Sequence, residues 1–129
     1  SLAAGLDDAL VGVSEPIEKL RTVVRHHVLF HRDHDMEAFL ADSELRSLEP
    51  VPYRRVVQQR KTYEHRVQGI LEEGRRAGVF ADVDDRVASY AIITACSAVG
   101  SWYRPSGPRS AEEVADIYAD LVLRGIAVR

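Results

Sequence analysis

The chain has 129 residues, 46% of them hydrophobic, and a formal net charge of −3. That is one domain with a sizeable core, and its acidic balance argues against a nucleic-acid grip, which needs clustered Lys and Arg. The lone Cys96 excludes an internal disulfide and a multi-cysteine zinc site; with no basic-then-apolar leader and no uncharged run long enough to span a bilayer, a cytoplasmic protein without a membrane partner is expected.

Leu2 to Val11 is predicted as a short amphipathic helix with Leu2, Leu6, Ala9 and Leu10 on its apolar side and Gly12 as C-cap. Ser14 then caps a second helix, which tolerates Pro16 in its first turn and extends to Arg32. Ile17, Leu20, Val24 and Val28 share its inner face. His27 and His31 fall on the same side, and His34 lies near its edge. A third helix is predicted from Asp35 to Leu48, with Met36, Phe39, Leu40 and Leu45 turned inward. Glu49-Pro50-Val51-Pro52 is predicted to break the chain, because proline cannot continue the backbone ladder. A long helix follows from Tyr53 to Ala77, with Tyr53, Val56, Val57, Tyr63, Val67, Ile70, Leu71 and Gly74 on its inner stripe. Arg60 and Glu64 fall close to the centre of that stripe, one turn apart. Gly78 stops this helix, and Asp82, Asp84 and Asp85 supply the cap of the next.

Asp84 to Ile126 is predicted as two helices joined by Tyr103-Arg104-Pro105-Ser106-Gly107-Pro108-Arg109-Ser110. From Val87 to Tyr103 there is no Asp, Glu, Lys or Arg. A helix without charge on any side cannot be a surface helix of a soluble monomer. The final helix starts at a capping box, Ser110 with Glu113, and its apolar residues cover roughly 240° of the wheel, against a stripe of a little over ~100° in an ordinary surface helix. Two such faces need two covers, and a short chain supplies one; a second copy related by a two-fold axis supplies the other. No alternating strand pattern of useful length occurs, so the fold class is all-α with about six helices.

Three stretches resemble a known family: Leu71-Glu72-Glu73-Gly74-Arg75-Arg76-Ala77-Gly78-Val79-Phe80, Trp102-Tyr103-Arg104-Pro105-Ser106-Gly107, and Ser110 through Ile126. They are similar to the C-terminal, effector-binding and dimerisation domain of TetR-family bacterial transcription regulators, in the subgroup that often responds to acyl-CoA or other lipid-derived ligands. The resemblance covers the chain from Ser14 to its end. It implies a homodimer in which the last two helices of each copy form a four-helix bundle. It implies that residues 1–12 are the remnant of an inter-domain linking helix and that 13–129 form the ligand-binding and dimerisation domain. The family's helix-turn-helix domain is absent from this chain, so operator DNA is a partner only through that missing part.

His27, His31 and His34 stand at metal-ligand spacing, but their candidate co-ligands, Asp33, Asp35 and His65, are loose. Polar groups lining a cavity, or histidines hydrogen-bonded at the core edge, are the alternatives. Arg60 with Glu64 reads as an intrahelical ion pair, or Arg60 as a contact to an acidic ligand head group. Tyr90, Thr94 and Ser97 offer hydroxyls to a mostly apolar pocket. The candidate ligand-binding residues are therefore His27, His31, Phe39, Arg60, Tyr63, Glu64, Val67, Tyr90 and Thr94. The candidate dimer interface is Val99, Trp102, Tyr103, Val114, Tyr118, Leu121, Val122 and Gly125, with Trp102 and Tyr103 as anchors. No Gly-rich phosphate loop, His-Glu-x-x-His or nucleophile motif is present, so no enzyme, no cofactor and no resident metal are expected. The expected function is an effector-sensing, dimerising domain of a TetR-like repressor that binds a small, largely apolar ligand. The alternative is a helical metal-binding or enzymatic bundle built on His27, His31 and His34.

Overall fold

In a computed structural model, which describes residues 2–33 and 50–128, the chain forms six helical elements among the described residues. These are α1 (Leu2–Ala9), α2 (Pro16–Asp33), α3 (Pro50–Arg76), α4 (Asp85–Ser97), α5 (Val99–Trp102) and α6 (Ala111–Ile126). The helix predicted over Asp35 to Leu48, which includes Phe39, lies outside the described residues, as does His34 just before it. No strand occurs among the described residues; a single antiparallel bridge pairs Phe80 with Ala127.

Helix boundaries follow local chemistry. The Asp84 carboxylate accepts from Val87 N at 2.9 Å and caps α4. At α6 both halves of the capping box form: Ser110 Oγ accepts from Glu113 N at 3.1 Å, and Glu113 accepts from Ser110 N at 3.0 Å. Gly78, at φ +76°, ends α3 in a Schellman turn, with Val79 N bonded to Gly74 O and Gly78 N to Arg75 O. Phe80 folds back onto Gly74, where a Cβ would come within 2.0 Å of its ring.

Two boundaries differ from expectation. Pro50 and Pro52 open α3 instead of preceding it, since the first helical turn has no intrahelical acceptor for its N–H groups and loses nothing to proline. The uncharged helix predicted as continuous to Tyr103 is interrupted at Ala98, splitting off α5. There the Ser101 hydroxyl donates to Ala98 O at 2.6 Å, and Ala98 N shares its proton between Cys96 O and Thr94 O. Side-chain competition for carbonyls bends helices in this way.

Packing centres on α2, which touches every other helical element. Leu20, Val23, Val24 and Val28 are at most 1% exposed and fill the middle of one core with Leu6, Val67, Leu71, Phe80, Cys96, Val99, Ala115 and Ala119. The main packing of α6 is on α2, and that of α4 is on α3 and α2. Surface ion pairs lace these seams: Lys19–Glu73 between α2 and α3, Arg21–Asp120 and Arg25–Asp116 between α2 and α6. Each contributes at most about 1 kcal/mol. The segment after α6 is stitched to the turn after α3 by Ala81 N to Ile126 O and Val128 N to Val79 O. No described helix is long and apolar enough to cross a membrane.

Candidate functional site

The inner face of α2 carries a histidine, His27, that is 2% exposed and has both ring nitrogens engaged. Its Nδ1 lies 2.6 Å from Tyr63 Oη on α3, and its Nε2 lies 2.7 Å from Ser97 Oγ at the end of α4. Ser97 Oγ is 3.5 Å from His31 Nε2, and the two histidine rings lie 4.5 Å apart. A chain of polar groups thus joins three helices inside apolar packing, with Val67 and Cys96 buried beside it.

The arrangement in which every proton finds an acceptor runs in one direction. Tyr63 O–H donates to His27 Nδ1, His27 Nε2–H donates to Ser97 Oγ, and the Ser97 hydroxyl points on toward His31 Nε2. The opposite direction leaves the Tyr63 proton without an acceptor in the chain. Charge is kept out of it. Burial, reinforced by His31 and then His26, pushes His27 from its usual 6.5 down to about 3. Burial holds the Tyr63 phenol well above its ordinary range and pushes the Cys96 thiol up to about 12. At neutral pH His27, Tyr63 and Cys96 are uncharged, and the first two act as hydrogen-bonding groups.

Of the residues singled out in the sequence, His27, His31, Tyr63 and Val67 are brought together here. Phe39 lies outside the described residues. Tyr90 and Thr94 face elsewhere: α4 turns Ser89, Ile92 and Cys96 inward, which leaves Tyr90 39% exposed with its hydroxyl 2.8 Å from Arg86 Nε. Arg60 is exposed, Glu64 is half-buried, and no ion pair joins them among the described residues. Ser97, which completes the chain, is the one of the three hydroxyl residues named in the sequence, Tyr90, Thr94 and Ser97, that joins it. As metal ligands the histidines are ill placed, since His27 would have to surrender a hydrogen bond. Among the described residues no three His, Cys, Asp or Glu side chains gather as a metal group.

A separate cleft of about 470 Å³ lies at the start of α4, lined by Gln68, Glu72, Arg75, Asp82, Val83, Asp84, Asp85 and Arg86. Its polar groups are largely used internally: Arg75 grips Asp85 with two hydrogen bonds, Asp84 caps the helix, and Gln68 donates to Ser89.

The outer faces are also distinctive. On α4 and α5, Val87, Ala91, Thr94, Ala95, Ala98 and Trp102 form an exposed stripe without charge, and α6 exposes Ile117, Leu121 and Gly125. Tyr103, Tyr118 and Val122 are half-buried, with Trp102 stacked on Tyr118. Val99 and Val114, assigned to a partner interface from the sequence, are instead 1% and 4% exposed within their own chain. The break at Ala98 turns Val99 inward, and Val114 lies on the α6 stripe that packs on α2.

Residues 13–126 match the family model described as the tetracyclin repressor-like C-terminal domain. The ketosteroid transcriptional regulator KstR2 of Mycobacterium tuberculosis is similar in structure, with a TM-score of 0.89 and 24% identity over 99% of this chain and 66% of its own. The TetR-family regulator PfmR from Thermus thermophilus gives 0.84 and 32% identity over 95% and 67%. AibR, solved with isovaleryl coenzyme A and operator DNA, gives 0.77 and 19% identity over 93% and 69%. No curated protein matches the chain. The chain spans about two thirds of the length of these neighbours. With the family model spanning nearly the whole chain on an all-helical core, this protein belongs to the tetracyclin repressor-like family, of which it represents the C-terminal domain.

Proposed function

We propose that this domain senses a small, largely apolar effector and, as a homodimer, passes the binding event to an operator-reading domain of the same regulator. The observation that carries the sensing role is the buried chain Tyr63–His27–Ser97–His31. A core that needed only stability would place apolar residues at this junction. A ligand site needs a few convergent polar groups in apolar walls. The junction also ties α2, α3 and α4 together, so a ligand that replaces one of its hydrogen bonds shifts three helices at once.

Two arrangements of the dimer then differ in the spacing of the paired DNA-reading parts. An effector moves that equilibrium only by its differential affinity for the two. AibR, similar in fold, is known with both isovaleryl coenzyme A and operator DNA, which supports an acyl-bearing or similarly apolar effector here. Pairing through the uncharged faces of α4, α5 and α6 is supported by the exposure of Trp102, Ile117 and Leu121.

Native mass spectrometry of the purified domain tests the sensing role. A co-purified small molecule present in wild type and lost in Tyr63→Phe supports it. A ligand-free wild type that a broad apolar metabolite extract fails to shift contradicts it.

A further inference from the structure

The eight residues of α1 make a helix too short to be stable alone in water. Gly5 stands in its middle, where glycine is the weakest helix former after proline. Local propensity therefore does not hold α1; packing does, with Leu6 at 0% exposure and Leu2 and Ala3 against the same core. Two polar grips are added to this. On α2, the half-buried His26 has its Nε2 at 3.1 Å from Leu2 O, and since a carbonyl only accepts, the imidazole donates. A Cβ at Gly5 would come within 2.7 Å of His26 Cε1, so glycine there lets α1 lie against the ring. From the other side, Arg66 on α3 pairs with Asp7.

Both grips stand beside the buried polar chain. His26 is next to His27, and Arg66 lies one turn past Tyr63. Successive residues of a helix diverge by about 100° and residues three apart by about 60°. Each helix therefore uses neighbouring positions to hold α1 on one side and the other helix on the next. His26–Leu2, Arg66–Asp7 and His27–Tyr63 close a triangle of α1, α2 and α3. Its sides are unequal. The His27–Tyr63 side is buried and 2.6 Å long, whereas Arg66–Asp7 is exposed and weak on its own. The spacing of α2 and α3 at this level, set by the buried side, decides whether α1 meets both grips at once.

We propose that His26 and Arg66 are positioning residues that make the ordering of α1 conditional on the His27–Tyr63 hydrogen bond. When that bond is lost, α2 and α3 shift against each other and one grip on α1 fails. Too short to stay helical without its seat, α1 then frays. The coupling belongs to this chain alone and needs no effector, so it stands or falls separately from the sensing role. Whatever breaks the buried bond reaches the surface as a change in the order of residues 2–9.

Amide hydrogen exchange of the 129-residue chain, read at residues 6–9 of α1 against residues 115–123 of α6, tests the coupling. Tyr63→Phe is expected to speed exchange in α1 about tenfold more than in α6. In His26→Leu, which already lacks one grip, adding Tyr63→Phe speeds α1 by less than about threefold, because the coupling is cut. Asp7→Asn opens the triangle from the surface and leaves the core intact, so the test does not depend on a core variant folding. It is expected to speed α1 exchange about threefold, the size of a surface pair. Coupling is reciprocal, so Asp7→Asn also speeds exchange of the Tyr63 hydroxyl proton, which a role confined to the packing of α1 would leave unmoved. The proposal is overturned if Tyr63→Phe loosens α1 and α6 alike, if its effect is the same with and without His26, or if the Tyr63 hydroxyl is unchanged in Asp7→Asn.

Discussion

A buried histidine held neutral by its surroundings makes stability depend on pH, with a sign set by where the proton binds more readily. His27 titrates near 6.5 when unfolded and near 3 in the folded chain. The unfolded state therefore takes up the proton first as pH falls. The contribution of His27 is complete above pH 6.5 and is lost progressively as pH drops toward 3. Between pH 7 and pH 5 the loss amounts to about 2 kcal/mol. Denaturant unfolding at the two pH values should show wild type losing about that much more than His27→Gln, and equal losses would remove the assignment. Tyr63→Phe leaves His27 Nδ1 without its donor in a buried site, and should cost about 1–3 kcal/mol at pH 7.

At the scale of helices, the sequence marks ends better than interruptions. Asp84, Ser110 and Gly78 stand where a side-chain acceptor or a positive φ is needed, and the structure uses each of them. Ser110→Ala, which removes one side of the capping box, should lower stability by about 1 kcal/mol in thermal unfolding. Gly74 has a different constraint, for the Phe80 ring occupies the space of its missing side chain. Gly74→Ala must expel a ring that is 2% exposed, and an unfolding cost of about 3 kcal/mol is expected. A loss under ~1 kcal/mol would mean that Phe80 repacks freely.

The inward stripes were legible for the same local reason: Leu20, Val24, Val28, Val67 and Leu71 follow helical spacing, and all are buried. The break at Ala98 was not, because it depends on a serine hydroxyl three residues later reaching a carbonyl. Nor was the start of α3, where Pro50 and Pro52 signal a stop and a first turn equally well. The polar chain was half legible. Spacing put His27 and His31 on one face and Tyr63 on another, but Ser97 enters only through the packing of α4 on α2. Tyr90 and Thr94 lie off the buried face of α4 because a difference of one position rotates a side chain by about 100°.

Over the described residues, α2 is the helix on which the others pack. It lies at the centre, with α4 and α6 each packed on it, and no described residue of the chain covers their uncharged outer stripes. Leu121 at 63%, Trp102 at 50% and Ile117 at 42% exposed form an apolar group of the kind that marks an interaction surface. In the proposed homodimer a two-fold related copy covers these surfaces with the same surfaces of its own. Val99 and Val114 are core residues of their own chain, so a charge placed there would unfold the domain instead of separating two. Leu121 is the position that distinguishes pairing from folding. Sedimentation of wild type and Leu121→Arg at micromolar concentration measures this directly. The account predicts twice the 14.4 kDa chain mass for wild type and the single-chain mass for the variant, with unchanged helical circular dichroism; a wild type that sediments as a stable single chain would contradict it.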